Sequence, residues 1–207
     1  MPSSKKRALA PALSLALFSS AFAWSAAEAA QVVVVNNNAA GVGFNETTAA
    51  APVGGNTGTT LGQQRLIAFQ YAADIWGQRV MSAVPIRVGA QFSSLSCNAS
   101  SAILGSAGPT TAYRDFTGAP VASTWYPIAL ANSLAGSDLD NTIDDISANF
   151  NKDIGTTNCL NGLGWYYGLD GKNPSGTLDF VSVLIHEMGH GLGFLTYVSL
   201  STGAKAL

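Results

Sequence analysis

Charged side chains are scarce in this chain, 11% of 207 residues, and no basic cluster follows the first few positions. A nucleic-acid surface needs such a cluster to neutralise phosphates, so that class of partner is excluded. Cysteine is nearly absent: Cys97 and Cys159 are the only two, which excludes a disulfide-knotted scaffold and a cysteine-rich structural metal site. Histidine is as rare, with His186 and His190 the only two in the chain. After Trp24 no apolar run is long enough to cross the ~30 Å of hydrocarbon in a bilayer.

The N-terminus carries an export pattern. Lys5, Lys6 and Arg7 precede an apolar stretch from Ala8 to Trp24, and Ala27-Glu28-Ala29 puts small residues at the two positions a signal peptidase reads. Pro11, Ser14, Ser19 and Ser20 interrupt the stretch and argue against a membrane anchor. The pattern predicts a signal peptide over residues 1–29, a secreted or periplasmic protein over 30–207, and no stable membrane association after cleavage. Removing the leader takes away Lys5, Lys6, Arg7 and Glu28, leaving seven basic against eleven acidic side chains, a mildly acidic protein. In an oxidising compartment Cys97 and Cys159 are expected to form one disulfide. Closing a loop of that length stabilises the fold by about 4 kcal/mol in the chain-entropy account.

Hydrophobic periodicity predicts an α+β chain. Gln31–Asn36 is a β-branched strand, and a Gly-, Asn- and Thr-rich loop runs to about residue 60. Thr60 and Gln63 have capping-box spacing, and Leu66, Phe69, Ala73, Trp76 and Val80 recur at helical intervals, predicting a helix over 61–82 with Trp76 in its core stripe. Ile86, Val88, Ala90 and Phe92 alternate with polar residues or glycine, as a half-buried strand does. A polar, glycine-punctuated stretch to about 120 is expected to be loop, 121–130 a further strand, and 136–141 a turn. Ile146, Ala148 and Phe150 then alternate with Ser147, Asn149 and Asn151 in another strand, and Trp165, Tyr166 and Tyr167 follow a glycine-rich turn. The cluster Asp138, Asp140, Asp144 and Asp145 fails the calcium-loop pattern, since Ile143 and Asn149 stand where glycine and glutamate are needed. A solvated loop is the simpler reading, with an irregular calcium site as the alternative.

The chemistry concentrates at His186-Glu187-Met188-Gly189-His190. On a helix the two histidines lie about 40° apart and one turn along the axis, so both imidazoles can reach one ion. Glu187 is rotated by about 100° from His186, beside the ligand line, where its carboxylate can take a proton from water rather than bind metal. Val181, Leu184, Ile185, Met188 and Leu192 fall on the opposite arc and form a core face. These residues predict a helix over 178–192, with Ser175 or Thr177 as cap, Asp179 at the positive end of the dipole, and Gly191 and Gly193 as stops.

This order of parts resembles the upper subdomain of the zincin metallopeptidases of exported bacterial type. The resemblance is carried by Phe69-Gln70-Tyr71-Ala72-Ala73-Asp74-Ile75-Trp76, by Trp165-Tyr166-Tyr167-Gly168-Leu169-Asp170, and most specifically by His186-Glu187-Met188-Gly189-His190-Gly191-Leu192-Gly193-Phe194. It implies a mixed twisted sheet, a backing helix, an active-site helix and a missing lower subdomain. It implies a zinc-dependent endopeptidase that hydrolyses peptide bonds with zinc-activated water, with His186 and His190 as ligands, Glu187 as general base and a protein or peptide as substrate. The rim on which an extended substrate lies would then be the segment around 145–151. The alternative is a non-catalytic exported surface or binding module that inherited the helix.

A catalytic zinc normally has a third protein ligand. The longer pattern H-E-x-x-H-x-x-G-x-x-H holds through Gly193, but position 196 is Thr196. Asp179 shares the histidine face but lies about 10 Å away along the helix axis. Asp170 would have to fold back. The third ligand is therefore expected beyond Leu207, in a longer enzyme of which this chain is the N-terminal part. Activity of this chain alone is a separate matter from its ancestry.

Overall fold

In the computed structural model, residues 28–199 and 201–204 are described. All but the end of the leader expected over 1–29 lies outside them. In chain order the elements are β1 (Val32–Asn36), a 3-10 turn (Gly43–Asn45), α1 (Leu61–Gly77), β2 (Ile86–Ser93), β3 (Gly105–Pro109), β4 (Ala112–Tyr113), β5 (Tyr126–Pro127), α2 (Ile128–Ala135), β6 (Ile146–Asn151), β7 (Gly164–Tyr166), β8 (Thr177–Asp179) and α3 (Phe180–Gly191). The fold is mixed α+β. No helix among the described residues is long and apolar enough to cross a membrane.

The main sheet has the order β1-β2-β6-β3; β1, β2 and β6 are parallel, and β3 runs antiparallel against β6. Alternation puts Ile86, Val88, Ala90 and Phe92 of β2 and Ile146, Ala148 and Phe150 of β6 on one buried face. Register reinforces this, with Val88 opposite Ile146, Ala90 opposite Ala148 and Phe92 opposite Phe150. Both long helices contribute to the same core, α1 through Ala68, Phe69, Ala72 and Ala73 and α3 through Phe180, Leu184 and Met188. Small alanines on α1 let its backbone approach the sheet closely.

Phe180, at the first turn of α3, is the hub of an aromatic cluster. Its ring lies 5.1 Å from Phe150, 5.2 Å from Trp165, and 5.4 Å from both Phe92 and Tyr167. Such contacts add to area burial and fix where the helix begins. Trp76 ties the helices together, its indole N–H donating to the Ile185 carbonyl at 3.0 Å. Further along, a Cβ on Gly191 would run into the Ile146 side chain, so the close approach of α3 to β6 requires glycine there.

Several expectations are corrected. α1 stops at Gly77 rather than 82, because the Arg79 and Val80 amides both return to the Trp76 carbonyl and a Cβ on Gly77 would crowd the Ala30 carbonyl. Its cap is as expected at Thr60, whose hydroxyl accepts from the Gln63 amide at 3.2 Å, but the Gln63 side chain reaches back to Thr59 instead of Thr60. The strand expected over 121–130 is only the two residues of β5, after which α2 begins. Buried Ile128, Ala129, Ala131 and Asn132 have helical spacing, and Gly136 closes α2 at φ 69°. The polar stretch before 120 contains β3 and β4. The segment 146–151 is no rim: β6 is paired on both sides, and its Asn151 is buried, donating to the Ile103 carbonyl at 2.9 Å. α3 starts at Phe180, two residues later than expected, since Thr177–Asp179 pair with β7.

Cys97 and Cys159 are bonded, with Cα atoms 5.1 Å apart across 62 residues of sequence. The acidic cluster is held in the loop's own bonding. Asp145, buried, accepts from the Arg87 amide at 2.7 Å and from Asn132 at 2.8 Å. Burial pushes its carboxyl up from the usual aspartate range, and the neighbouring Asp138 and Asp144 charges add to the rise. Asp144 pairs with Arg87 at 2.9 Å, Asp138 accepts from the Asp140 amide, and Asp140 accepts from Thr142.

Candidate active site

α3 carries His186, Glu187 and His190 along one face, and the side chains behind them, Leu184 and Met188, are fully buried. The core therefore sets the helix rotation, and the rotation turns the histidines outward. His186 is exposed, and Glu187 and His190 are partly so. The two imidazoles converge: their Nε2 atoms are 3.1 Å apart, with ring planes 87° apart.

The other nitrogen of His190 fixes its tautomer. Nδ1 lies 2.8 Å from the Phe194 carbonyl oxygen. A carbonyl can only accept, so Nδ1 carries the proton and the Nε2 lone pair faces His186. The chain makes this bond by ending α3 at Gly191 and turning at Gly193, φ 115°, which brings residue 194 back beneath the last turn. An outer hydrogen bond of this kind is what orients a metal-binding imidazole. Sequence reasoning named both glycines as helix stops without seeing that the stop serves His190.

Two imidazole nitrogens this close could share one divalent ion. Two nitrogens bound at 2.0–2.1 Å in tetrahedral geometry sit about 3.3–3.4 Å apart, a few tenths of an ångström from the separation found here. Among the described residues no third His, Cys, Asp or Glu joins them in a metal-holding group. Asp170 is engaged elsewhere, accepting from the Tyr166 hydroxyl at 2.7 Å and the Lys172 amide at 3.1 Å, bonds that hold its carboxyl below the usual aspartate range. Asp179 stands at the N-cap position of α3, where its side chain makes no capping bond to the backbone but accepts from the Ser182 hydroxyl at 2.5 Å. Thr196 is exposed beyond the helix.

Glu187 has a partner that sequence reasoning missed. Its carboxylate accepts from the Ala107 amide at 3.0 Å, joining the motif helix to the outer edge of β3. An open cleft of about 420 Å³ lies there, lined by Ile103, Leu104, Gly105, Ser182, Val183, His186 and Glu187. Gly105-Ser106-Ala107-Gly108-Pro109 shows no apolar alternation, so no periodicity marks it as a strand; only its place beside β6 makes it one. No protein-family model matches the chain, nor does any curated protein or any solved structure.

Proposed function

We propose that this chain is an exported zinc-dependent endopeptidase of zincin type, with His186 and His190 as metal ligands and Glu187 as the general base. The observation that carries the reading is the convergence of two imidazole Nε2 atoms to 3.1 Å beside an open cleft, with a tethered carboxylate next to them. The sheet supports it, because β3 is an edge strand whose Gly105 lines the cleft, where an extended peptide can lie. The export pattern and the Cys97–Cys159 bond are consistent with a secreted or periplasmic site of action.

Zinc, when bound, would acidify water and polarise a carbonyl as a Lewis acid. Within that scheme the chain's own groups do the following. His186 and His190 would hold the ion, and the Phe194 carbonyl keeps His190 in the ligating tautomer. Glu187 takes the proton from the attacking water and passes it to the departing amine, so the amide is hydrolysed with no covalent link to the protein. The Ala107 amide holds the carboxylate at the strand edge, beside the peptide it would act on.

The test measures zinc by elemental analysis and casein degradation with and without chelator. In a chain that carries a third ligand, chelator-sensitive degradation with one zinc is expected, Glu187→Gln retaining metal but losing proteolysis, and His186→Ala or His190→Ala losing the metal. Full activity in Glu187→Gln would remove the base assignment. Stoichiometric zinc in either histidine variant would remove the ligand assignment. Zinc binding without proteolysis would favour the exported binding module instead.

A further inference from the structure

The outer edge of β1, at the opposite margin of the sheet from β3, is open along the whole strand. The Ile86 amide donates to the Gln31 carbonyl and the Asn37 amide to the Ala90 carbonyl, so odd-numbered residues of β1 turn their backbone groups toward β2. Val32, Val34 and Asn36 turn theirs outward, and their amides and carbonyls find no partner among the described residues. The span is bounded: the Ala30 amide is taken by the Val80 carbonyl, and the Asn38 amide by the Asn36 side chain. Exposed edges are usually blunted by proline, charge or a bulge, as Pro109 and the Glu187 contact do on β3. β1 has none of these devices. Gln31-Val32-Val33-Val34-Val35-Asn36 is uncharged and rich in β-branched side chains, and its pairing with β2 runs without interruption. Beside it a groove of about 490 Å³ lies between the strand and α1, lined by Val32, Val34, Ala73 and Gly77, with Asp74 as its one charged side chain.

We propose that β1 pairs antiparallel with β1 of a second copy of this chain, about a two-fold axis at Val34, joining the two four-stranded sheets into one continuous sheet. The outward groups are self-complementary in that register. Val34 faces the partner's Val34, Val32 faces the partner's Asn36 and Asn36 the partner's Val32, so every outward amide meets an outward carbonyl. Identical copies bring identical side chains to the axis, and a charge on the span would lie close to its own like; the span has none. Facing residues point to the same side of a sheet. The partner's Val34 and Asn36 therefore lie along the groove beside α1, and Val33 meets the partner's Val35 on the other face. Such an isologous contact closes on itself, where a head-to-tail one would grow into a fibre. The pairing uses nothing of the histidine site and stands apart from the peptidase reading.

The experiment follows mass by light scattering and amide exchange by NMR over about a hundredfold range of concentration. Mass should rise to that of a dimer, and the Val32, Val34 and Asn36 amides should gain protection with it, while those of Val33 and Val35, bonded to β2, stay protected throughout. Val34→Pro removes the central outward amide without touching the bonds to β2, and should weaken the dimer by about tenfold or more. Val33→Cys combined with Val35→Cys sets thiols on facing residues whose Cα atoms are about 4.5 Å apart, within disulfide reach, and oxidation should cross-link two copies. A mass that stays monomeric or grows past a dimer, a dimer whose outward amides exchange freely, a folded Val34→Pro variant that dimerises as well, or no cross-link overturns the pairing. Protection of those amides already complete in the monomer also overturns it and gives the edge to a segment of the same chain.

Discussion

The Ala107 amide donates to the Glu187 carboxylate at 3.0 Å, so the edge strand and the motif helix meet at the group proposed to move the proton. Because that amide faces away from β6, Ala107→Pro removes it without breaking the ladder. A charge-assisted hydrogen bond is lost, and casein hydrolysis should fall by about tenfold or more while zinc stoichiometry stays at one. Unchanged hydrolysis in a folded variant would show that the bond does not position the base.

Gly191 tests the packing beneath the site. Glycine to alanine inside a helix ordinarily gains up to about 1 kcal/mol. Here the added methyl meets Ile146 across the α3–β6 contact, and Gly191→Ala should instead cost about 1–3 kcal/mol in urea unfolding. Combining it with Ile146→Val should cost less than the two single changes added together. Strict additivity would mean the clash is relieved elsewhere.

Arg65 is buried with its guanidinium on Glu46 at 2.6 Å, on the Tyr167 hydroxyl at 2.8 Å and over the Phe92 ring at 4.5 Å. Partial burial acts to raise the Glu46 carboxyl, but hydrogen bonds from Arg65 and Thr48 and the charge of Arg65 together outweigh it and hold the group below its usual range. A depressed acid contributes stability above its unfolded pKa, and that contribution fades as pH falls through the folded value. Glu46→Gln should therefore cost about 1 kcal/mol at pH 7, reduced by solvent at the partly exposed carboxylate, and the two unfolding curves should draw together as pH falls below the ordinary glutamate range. A difference that persists unchanged into acid would assign the loss to packing.

The Cys97–Cys159 bond ties the loop after β2 to the loop after β6. Cys97→Ala with Cys159→Ala should lower stability by up to about 4 kcal/mol, the loop-closure value, visible as a lower urea midpoint. An unaltered midpoint would mean that the 62-residue loop is already constrained without the bond.

Zinc itself should raise the thermal midpoint, because an ion held by the folded chain and not by the unfolded one adds about 2.7 kcal/mol at a hundredfold excess over Kd. His190→Ala should abolish the shift. A zinc-dependent shift of the same size in that variant would place the ion elsewhere.

Local pattern was enough for the motif helix, the α1 stripe, the β2 and β6 alternations, and the pairing of the two cysteines. Each depends on residue type at a fixed spacing, which survives any arrangement of neighbours: Leu184 and Met188 face the core because they lie opposite His186 and His190 on one cylinder. What the linear order could not decide was which strand becomes the edge. β6 reads as a half-polar strand suited to a rim, yet pairing on both sides buries it. Gly105–Pro109 reads as loop, yet it closes the sheet, because strand identity there comes from hydrogen bonds to β6 and not from its own side chains. The Phe194 carbonyl behind His190 and the Ala107 amide on Glu187 belong to the same class. They are backbone groups, present at every residue, and only tertiary packing singles out the two that matter.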